Sequence, residues 1–211
     1  GWSDMYPELQ FFKDFPEGPR KDVTFVTDIP NRGFSGGTII TKNPPTKNWE
    51  VSERFHPMYG KFTASEDLTV VGRTMGYRAI EIYRYAEVLL IYAEAKAASG
   101  GFDANALSAL NQVKRRAAGL DPNTPNAAVD VTSASVQDII DEKGWELAAE
   151  HKRWFDLVRT ETLESAILKR DPNEQVPLVR QPGKAQYISP IPAEAITTSK
   201  LVQNPQGFKI Q

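Results

Sequence analysis

The stretch at residues 84–110, RYAEVLLIYAEAKAASGGFDANALSAL, decides the fold, because its apolar residues recur at helical spacing. Gly100 is placed where a helix ends in a left-handed residue, so we expect a helix that closes there. Most of the helix circumference is apolar, which predicts burial by neighbours on more than one side. Two adjacent apolar stripes run along it: Ile82, Ala86, Leu89, Ala93 and Ala97, and Tyr85, Val88, Tyr92 and Ala95.

A second helix follows at once. Asp103 is a typical N-cap, and apolar residues then recur at helical spacing through Leu107, Leu110 and Val113. The connection between the two helices is so short that we expect an antiparallel helical hairpin.

Further helices are predicted towards the C-terminus. A third spans about 136–150, with Ser135 as N-cap and Asp138 at the third position of a capping box. A fourth begins near Lys152, and TLESAILK at 162–169 continues the helical periodicity up to the breaker DPNEQVP. The fold class is therefore mainly α.

Residues 1–76 have a different character, being rich in Pro, Gly and aromatic side chains. This texture predicts long irregular loops with a few short strands, among which GGTIITK (36–42) could pair with DVTFVTD (22–28). We therefore divide the chain into a loop-rich, ligand-facing region at 1–76 and a helical region at 77–211.

Composition excludes several classes of protein. The 211 residues carry 25 basic and 27 acidic side chains, with no basic block to neutralise phosphates, so nucleic acid is not an expected partner. Without cysteine there is no thiolate chemistry. The longest apolar stretch, at 85–95, contains two glutamates and is too short to cross a bilayer.

Two glutamates are the best candidates for acid–base chemistry. Glu146 and Glu150 lie four residues apart, a spacing at which two carboxylates could share a site. Ion pairing on a helix is much commoner, and Lys143, Lys152 and Arg153 are close enough in sequence to supply it. We expect ion pairs and no enzyme.

The segment just beyond them is interpreted as part of a core. Asp156 and Arg159 lie three residues apart in a predicted short helix, directly after Trp154 and Phe155. We expect a partly buried charge pair beside an aromatic core anchor.

Metal and cofactor sites are not expected. The two histidines, His56 and His151, have no carboxylate or second imidazole at metal-ligand spacing. The glycine-rich RGFSGGT at 32–38 lacks the Lys-Ser/Thr of a phosphate-binding loop and is interpreted as a turn.

Aromatic residues are the best candidates for ligand binding, since 12 of the 21 fall within the first 77 positions. Trp2, Trp49 and Tyr59 stand among polar neighbours and could offer flat apolar faces to sugar rings. The alternative is that they fill a small core beneath long loops.

Two family resemblances follow from the motifs. The hairpin with AAGLDPN resembles one tetratricopeptide unit, although no second copy is visible. Five motifs in order resemble the C-terminal half of SusD/RagB-type outer-membrane lipoproteins: RYAEVLLIYAEA, ALNQVKRRAAGL, ELAAEHKRWFDLVR, YISPIP and LVQNPQGF. GPRKDVTF at 18–25 resembles a segment just upstream in the same family.

That resemblance implies a non-enzymatic nutrient-binding protein on the outward face of the outer membrane. Such proteins capture oligosaccharides or polysaccharides above a SusC-type TonB-dependent transporter, on a tetratricopeptide-like scaffold with variable binding loops. It also implies that this chain is a piece of a longer protein, whose lipid anchor and earlier helices lie outside it.

Two alternative functions remain open at this stage. Peptide capture by the same architecture is one, because some relatives of this family serve peptide uptake. A pure protein-interaction scaffold with the transporter as its sole ligand is the other.

Overall fold

The computed structural model describes residues 6–35, 38–52, 55–61, 81–174, 178 and 181–203. The described residues are rich in helix with a few short strands, which confirms the predicted fold class. The chain forms two compact units, Gly1–Lys152 and Arg153–Gln211.

The first unit contains five of the helices and all of the strands that the described residues form. The helices are α1 (Leu9–Asp14), α2 (Pro19–Thr24), α3 (Tyr85–Ala98), α4 (Ala104–Ala117) and α5 (Val136–Glu146). The strands are β1 (Phe25–Val26), β2 (Asp28–Ser35), β3 (Thr38–Asn48) and β4 (Met58–Tyr59), and a single 3₁₀ turn at Trp49–Val51 follows β3.

The predicted hairpin is confirmed as α3 and α4. The Asp103 carboxylate accepts a hydrogen bond from the backbone N–H of Ala106 at 2.9 Å, so it caps α4 as expected. Gly100 has φ +72°, the left-handed conformation predicted after α3. Helix α5 packs onto both, and the shared core is formed by Ala86, Leu90, Ala93, Leu110, Val113 and Ile139.

Burial of α3 on several sides is wrong for the described residues. Ala86, Leu90 and Ala93 are buried, but Tyr85 is 71% and Val88 52% exposed. The physical reason is that the core residues of α4 and α5 meet only the first of the two predicted stripes.

Helix α5 begins as predicted and ends early. Ser135 and Asp138 form the expected capping box, with the Ser135 hydroxyl accepting from the Asp138 N–H and the Asp138 carboxylate accepting from the Ser135 N–H. The helix stops at Glu146 instead of continuing to Glu150. Ala149 and His151, at φ +64° and +61°, have backbone conformations that no right-handed helix accommodates.

The predicted pairing between GGTIITK and DVTFVTD is wrong, because each segment pairs with a different one. GGTIITK contributes to β3, which pairs antiparallel with β2, the segment immediately before it, at Arg32–Thr41 and Ser35–Thr38. Within DVTFVTD, β1 pairs with the distant β4 through Phe25–Tyr59. A hairpin between adjacent segments costs less loop-closure entropy, which explains why the nearer segment pairs with β3.

The polar linker after α4 is held by buried side chains. The Asn111 amide donates to the Val131 carbonyl and accepts from the Val131 N–H, both at 3.0 Å. Arg115 forms two 2.6 Å hydrogen bonds to Asp130. These contacts hold the linker along one side of α4.

The second unit contains α6 (Arg153–Arg159), α7 (Leu163–Leu168), a 3₁₀ turn at Lys184–Gln186 and α8 (Ala193–Ser199). Asp156 is buried and accepts from Arg159 at 2.6 Å, as expected. The predicted burial of the two aromatic residues is wrong, since Trp154 is 45% and Phe155 69% exposed. The buried side of this short helix carries Asp156 instead.

The predicted boundary at 76/77 lies within 62–80, outside the described residues, so the division into a ligand-facing and a helical region remains a prediction. Among the described helices, none is long and apolar enough to cross a membrane.

Candidate functional site

An aromatic cluster occupies the N-terminal part of the first unit. Phe25 on β1 lies at its centre, with ring centroids 5.0 Å from Phe15 and 5.1 Å from Phe12, both edge to face. Phe12 in turn contacts Trp49 at 5.7 Å. Edge-to-face packing of this kind contributes stability beyond the burial of area and fixes ring orientation.

Trp49 is a packed member of this cluster. Its side chain is 7% exposed, and its second aromatic neighbour is Phe55 at 5.5 Å. The 3₁₀ turn that carries Trp49 is started by Asn48, whose side chain accepts from the Glu50 N–H. The position of this indole is therefore set by the rings of Phe12 and Phe55 and by the backbone of the 3₁₀ turn.

Tyr59 lies at the edge of the cluster and is half-buried. Its ring lies 5.6 Å from that of Phe25, across the β1–β4 pair. Burial raises the pKa of Tyr59 to about 12. The raised pKa reports that the hydroxyl is partly shielded from water; as in any tyrosine at physiological pH, it is protonated and can donate a hydrogen bond.

Two cations lie against ring faces of the cluster. The Lys21 ammonium is 4.6 Å from the Phe12 centroid, and the Arg20 guanidinium is 5.7 Å from that of Phe15. Cations in these positions stabilise the rings and cover those ring faces.

Beside the aromatic cluster lies a buried charge network centred on Glu146, which has 2% side-chain exposure. Arg84 donates to its carboxylate at 3.0 Å, Arg20 at 3.3 Å, and Arg116 also donates to it. One buried carboxylate thus joins α2, the start of α3, and α4 to helix α5.

Glu150 forms the second centre of the network. Arg84 donates to both of its carboxylate oxygens at 2.8 Å, and the Lys61 ammonium donates to one of them. Lys61 also donates to the Glu146 carbonyl at 2.8 Å. Burial alone would raise the pKa of Glu150, but the hydrogen bonds from Arg84 and Lys61 outweigh it and leave that pKa below its ordinary value.

Glu142 extends the network by one helical turn. Arg20 donates to it at 2.6 Å, and Lys114 donates at 3.4 Å. Arg20 therefore bridges two carboxylates of α5 while its guanidinium also lies against Phe15. The network connects the aromatic cluster directly to the helical core.

The predicted ion pairing of Glu146 and Glu150 is confirmed, but two of the predicted partners, Lys143 and Lys152, pair elsewhere. The structure pairs Lys143 with Glu94 at 3.7 Å and Lys152 with Glu87 at 3.2 Å, away from the two glutamates. Because the helix ends at Glu146, Glu150 turns towards Arg84 and Lys61 instead. The spacing of residues around the two glutamates did not indicate Arg84 or Lys61. Both lie more than 60 residues away in the chain and reach the carboxylates only because of the fold.

The predicted ligand residues have different outcomes. Trp49 and Tyr59 lie in one aromatic cluster, so the small-core alternative accounts for their packing, and their binding role remains a prediction. Trp2 lies outside the described residues.

His56 is buried with its ring 5.6 Å from Tyr6, and His151 is exposed. In the described segments there is no group of three or more His, Cys, Asp or Glu able to hold a metal ion.

Comparison with known proteins decides the family. A sequence profile described as the SusD family matches residues 19–207. The chain belongs to the SusD family.

A curated relative of this SusD family chain is SusD-like protein P2 from Formosa agariphila, 33% identical over 219 aligned positions. The alignment covers 99% of this chain and 41% of that protein. The family resemblance inferred from five ordered motifs is therefore confirmed.

A solved structure supports the fold. The crystal structure of a SusD homolog from Bacteroides thetaiotaomicron matches with a TM-score of 0.52 at 19% identity, covering 93% of this chain and 41% of that one. This SusD family chain thus spans about two fifths of the length of each relative.

Proposed function

We propose that this chain is part of a surface glycan-binding protein that captures oligosaccharides and passes them to a SusC-type TonB-dependent transporter. The observation that carries the proposal is the SusD family match across residues 19–207. The proposal places the protein on the outward face of the outer membrane, held by a lipid anchor outside these 211 residues.

The charge network supports binding in preference to catalysis. An acid catalyst near neutral pH needs a carboxyl group with a raised pKa, whereas the pKa of Glu150 is lowered and its oxygens are bonded to Arg84 and Lys61. These contacts instead fix the aromatic N-terminal segment on a helical scaffold. Stacking on sugar rings requires such pre-positioned surfaces and no reacting group.

Trp2, Trp49 and Tyr59 remain the proposed ligand contacts. For Tyr59 the support is its position: its half-buried ring lies at the edge of the cluster, fixed against Phe25. For Trp49 little surface is available to a ligand, because the residue is almost completely buried.

Calorimetric titration of the full-length protein with plant, host and storage oligosaccharides tests the function. We expect saturable binding to at least one glycan class and none to a matched panel of peptides. Binding of peptides alone would replace glycan capture by peptide capture. No binding to either panel would favour a scaffold whose ligand is the transporter.

Tyr59→Phe tests the proposed site. It keeps the ring packed on Phe25 and removes one hydrogen-bond donor, so we expect affinity for the glycan to fall about fivefold. Tyr83→Phe is the control, because Tyr83 is 71% exposed and lies outside the aromatic cluster. Equal affinity of both variants and the parent protein would remove Tyr59 from the site without affecting the family assignment.

Delivery to the transporter needs its own measurement. We expect the full-length protein to co-purify with a SusC-type transporter from detergent-solubilised outer membranes. Recovery of the protein without any TonB-dependent transporter would contradict the hand-over, even if glycans bind.

A further inference from the structure

The charge network contains more cations than carboxylates within the described residues. Its three carboxylates are Glu142, Glu146 and Glu150, each with at most 8% side-chain exposure. Its five cations are Arg20, Lys61, Arg84, Lys114 and Arg116. The surplus of positive charge is held beside buried groups, where water and salt screen it less than on an open surface.

Asp138 does not remove this surplus. It lies close enough to Lys114 to interact electrostatically. Its carboxylate, however, caps α5 by accepting from the Ser135 N–H and hydroxyl, and it is exposed to water, which screens its charge. Even when Asp138 is counted with the network, one cation is left in excess.

The two most exposed cations of the network are close neighbours in sequence. We define the cationic edge as Lys114 and Arg116, both in the last turn of α4. The Arg116 side chain is 54% exposed, and in the described segments it hydrogen-bonds only to Glu146. For Lys114 the described segments supply one long contact, at 3.4 Å to Glu142. Most of the N–H donors of the two side chains are therefore unused.

Unused donors of this kind suit an oxyanion. A guanidinium presents a planar fork of donors that matches the oxygens of a carboxylate or sulfate, and an ammonium adds a compact charge. Arg20 joins the cationic edge to the aromatic cluster, because it bonds Glu142 and Glu146 while it lies 5.7 Å from the Phe15 centroid. The edge therefore belongs to the same unit as the proposed ring contact Tyr59.

We propose that the cationic edge is an anion-binding subsite for the carboxylate or sulfate groups of an acidic glycan. This inference rests on the proposed glycan capture and names its substrate class, a polysaccharide that carries uronate or sulfate groups. A bound oxyanion would complete the charge balance of the network without displacing Glu142 or Glu146.

Calorimetric titration of the full-length protein with paired oligosaccharides tests the subsite. Each pair consists of an oligosaccharide with uronate or sulfate groups and the same molecule after carboxyl reduction or desulfation. We expect the acidic member to bind about tenfold more tightly in low salt, because it adds charge-assisted hydrogen bonds. That preference should shrink as NaCl is raised towards about 1 M.

Variants locate the subsite. Arg116→Gln and Lys114→Gln each remove one charge from the cationic edge, and each should lower the preference for the acidic member at least about threefold. Arg20 remains bonded to both carboxylates in either variant, so neither change leaves a buried carboxylate unpaired. Lys169→Gln is the control, because Lys169 is exposed in the second unit and lies outside the network, and it should keep the full preference.

A second measurement does not depend on glycan binding. The Tm of the full-length protein is recorded in sodium sulfate and in sodium chloride at equal ionic strength. We expect sulfate to raise the Tm of the parent protein and of Lys169→Gln more than that of Arg116→Gln. The general stabilisation by sulfate acts on all three proteins alike, so the difference between them reports binding at the edge.

The outcomes separate the subsite from the proposed function. Equal affinity for the two members of every pair would overturn the subsite and leave glycan capture intact. An acidic preference that survives both Arg116→Gln and Lys114→Gln would also overturn it, because the anion would then bind elsewhere. If no glycan binds at all, glycan capture fails and so does the assignment to an acidic glycan. The sulfate measurement then shows whether the edge binds a free oxyanion instead.

Discussion

Glu146 shows what a single residue does in this unit. Its carboxylate is nearly inaccessible and is bonded to Arg20, Arg84 and Arg116, which come from three separate segments. Removing the negative charge would take away the carboxylate that three guanidinium groups share, two of them largely buried, and would leave Arg20 with Glu142 and Arg84 with Glu150 as their remaining partners. The cost of such a change is set by the buried positive charge that is no longer balanced.

We therefore expect Glu146→Gln to lower the free energy of unfolding by about 3–5 kcal/mol, measured by urea denaturation. Glu17→Gln is the control, because Glu17 pairs with Lys21 while 83% of its side chain is exposed. That change should cost about 0–1 kcal/mol. Similar losses in both variants would mean that the buried network adds no more than a surface pair.

The lowered pKa of Glu150 predicts a contribution to the acid sensitivity of the protein. Its folded-state pKa is lowered below the ordinary value of 4.5, so its ionised form stabilises the fold fully above about pH 4.5. That contribution is lost as pH falls through the lower, folded-state pKa. We expect Glu150→Gln to flatten the fall of Tm with pH below 4.5, measured by thermal melts across that range; an unchanged slope would contradict the prediction.

At the scale of elements, local signals placed helix starts correctly. Asp103 and Ser135 were recognisable because a capping side chain bonds to a backbone N–H only three residues away. The end of α5 was missed because the chain leaves the helix through positive φ at Ala149 and His151, and neither residue is the glycine that usually marks such a conformation in a sequence.

Ser135→Ala tests the capping box. We expect a loss of about 1 kcal/mol in the free energy of unfolding, because the Asp138 N–H loses its acceptor at the start of α5. Ser133→Ala, two residues earlier in the exposed linker, should change stability by less than about 0.5 kcal/mol. An equal effect of the two substitutions would contradict the role of the cap.

At the scale of the whole molecule, Leu90 lies completely buried in the core that α3, α4 and α5 share. Leu90→Ala should lower the free energy of unfolding by about 2–5 kcal/mol, since it removes contacts to two neighbouring helices and leaves a cavity. Val23→Ala, on the exposed side of α2, should cost less than about 0.5 kcal/mol. A small effect of Leu90→Ala would mean that this core is loosely packed.

The sequence by itself determined the helical class, the α3–α4 hairpin, its caps and the family, because these depend on periodicity, on bonds within one helical turn and on ordered motifs. Only the tertiary structure decided that Trp49 is packed among phenylalanines, that Trp154 is exposed and that Glu150 bonds to Lys61 and Arg84. Those outcomes depend on which distant segments meet. Loop closure and burial of the whole unit govern that choice, and neither is encoded in the spacing of neighbouring residues.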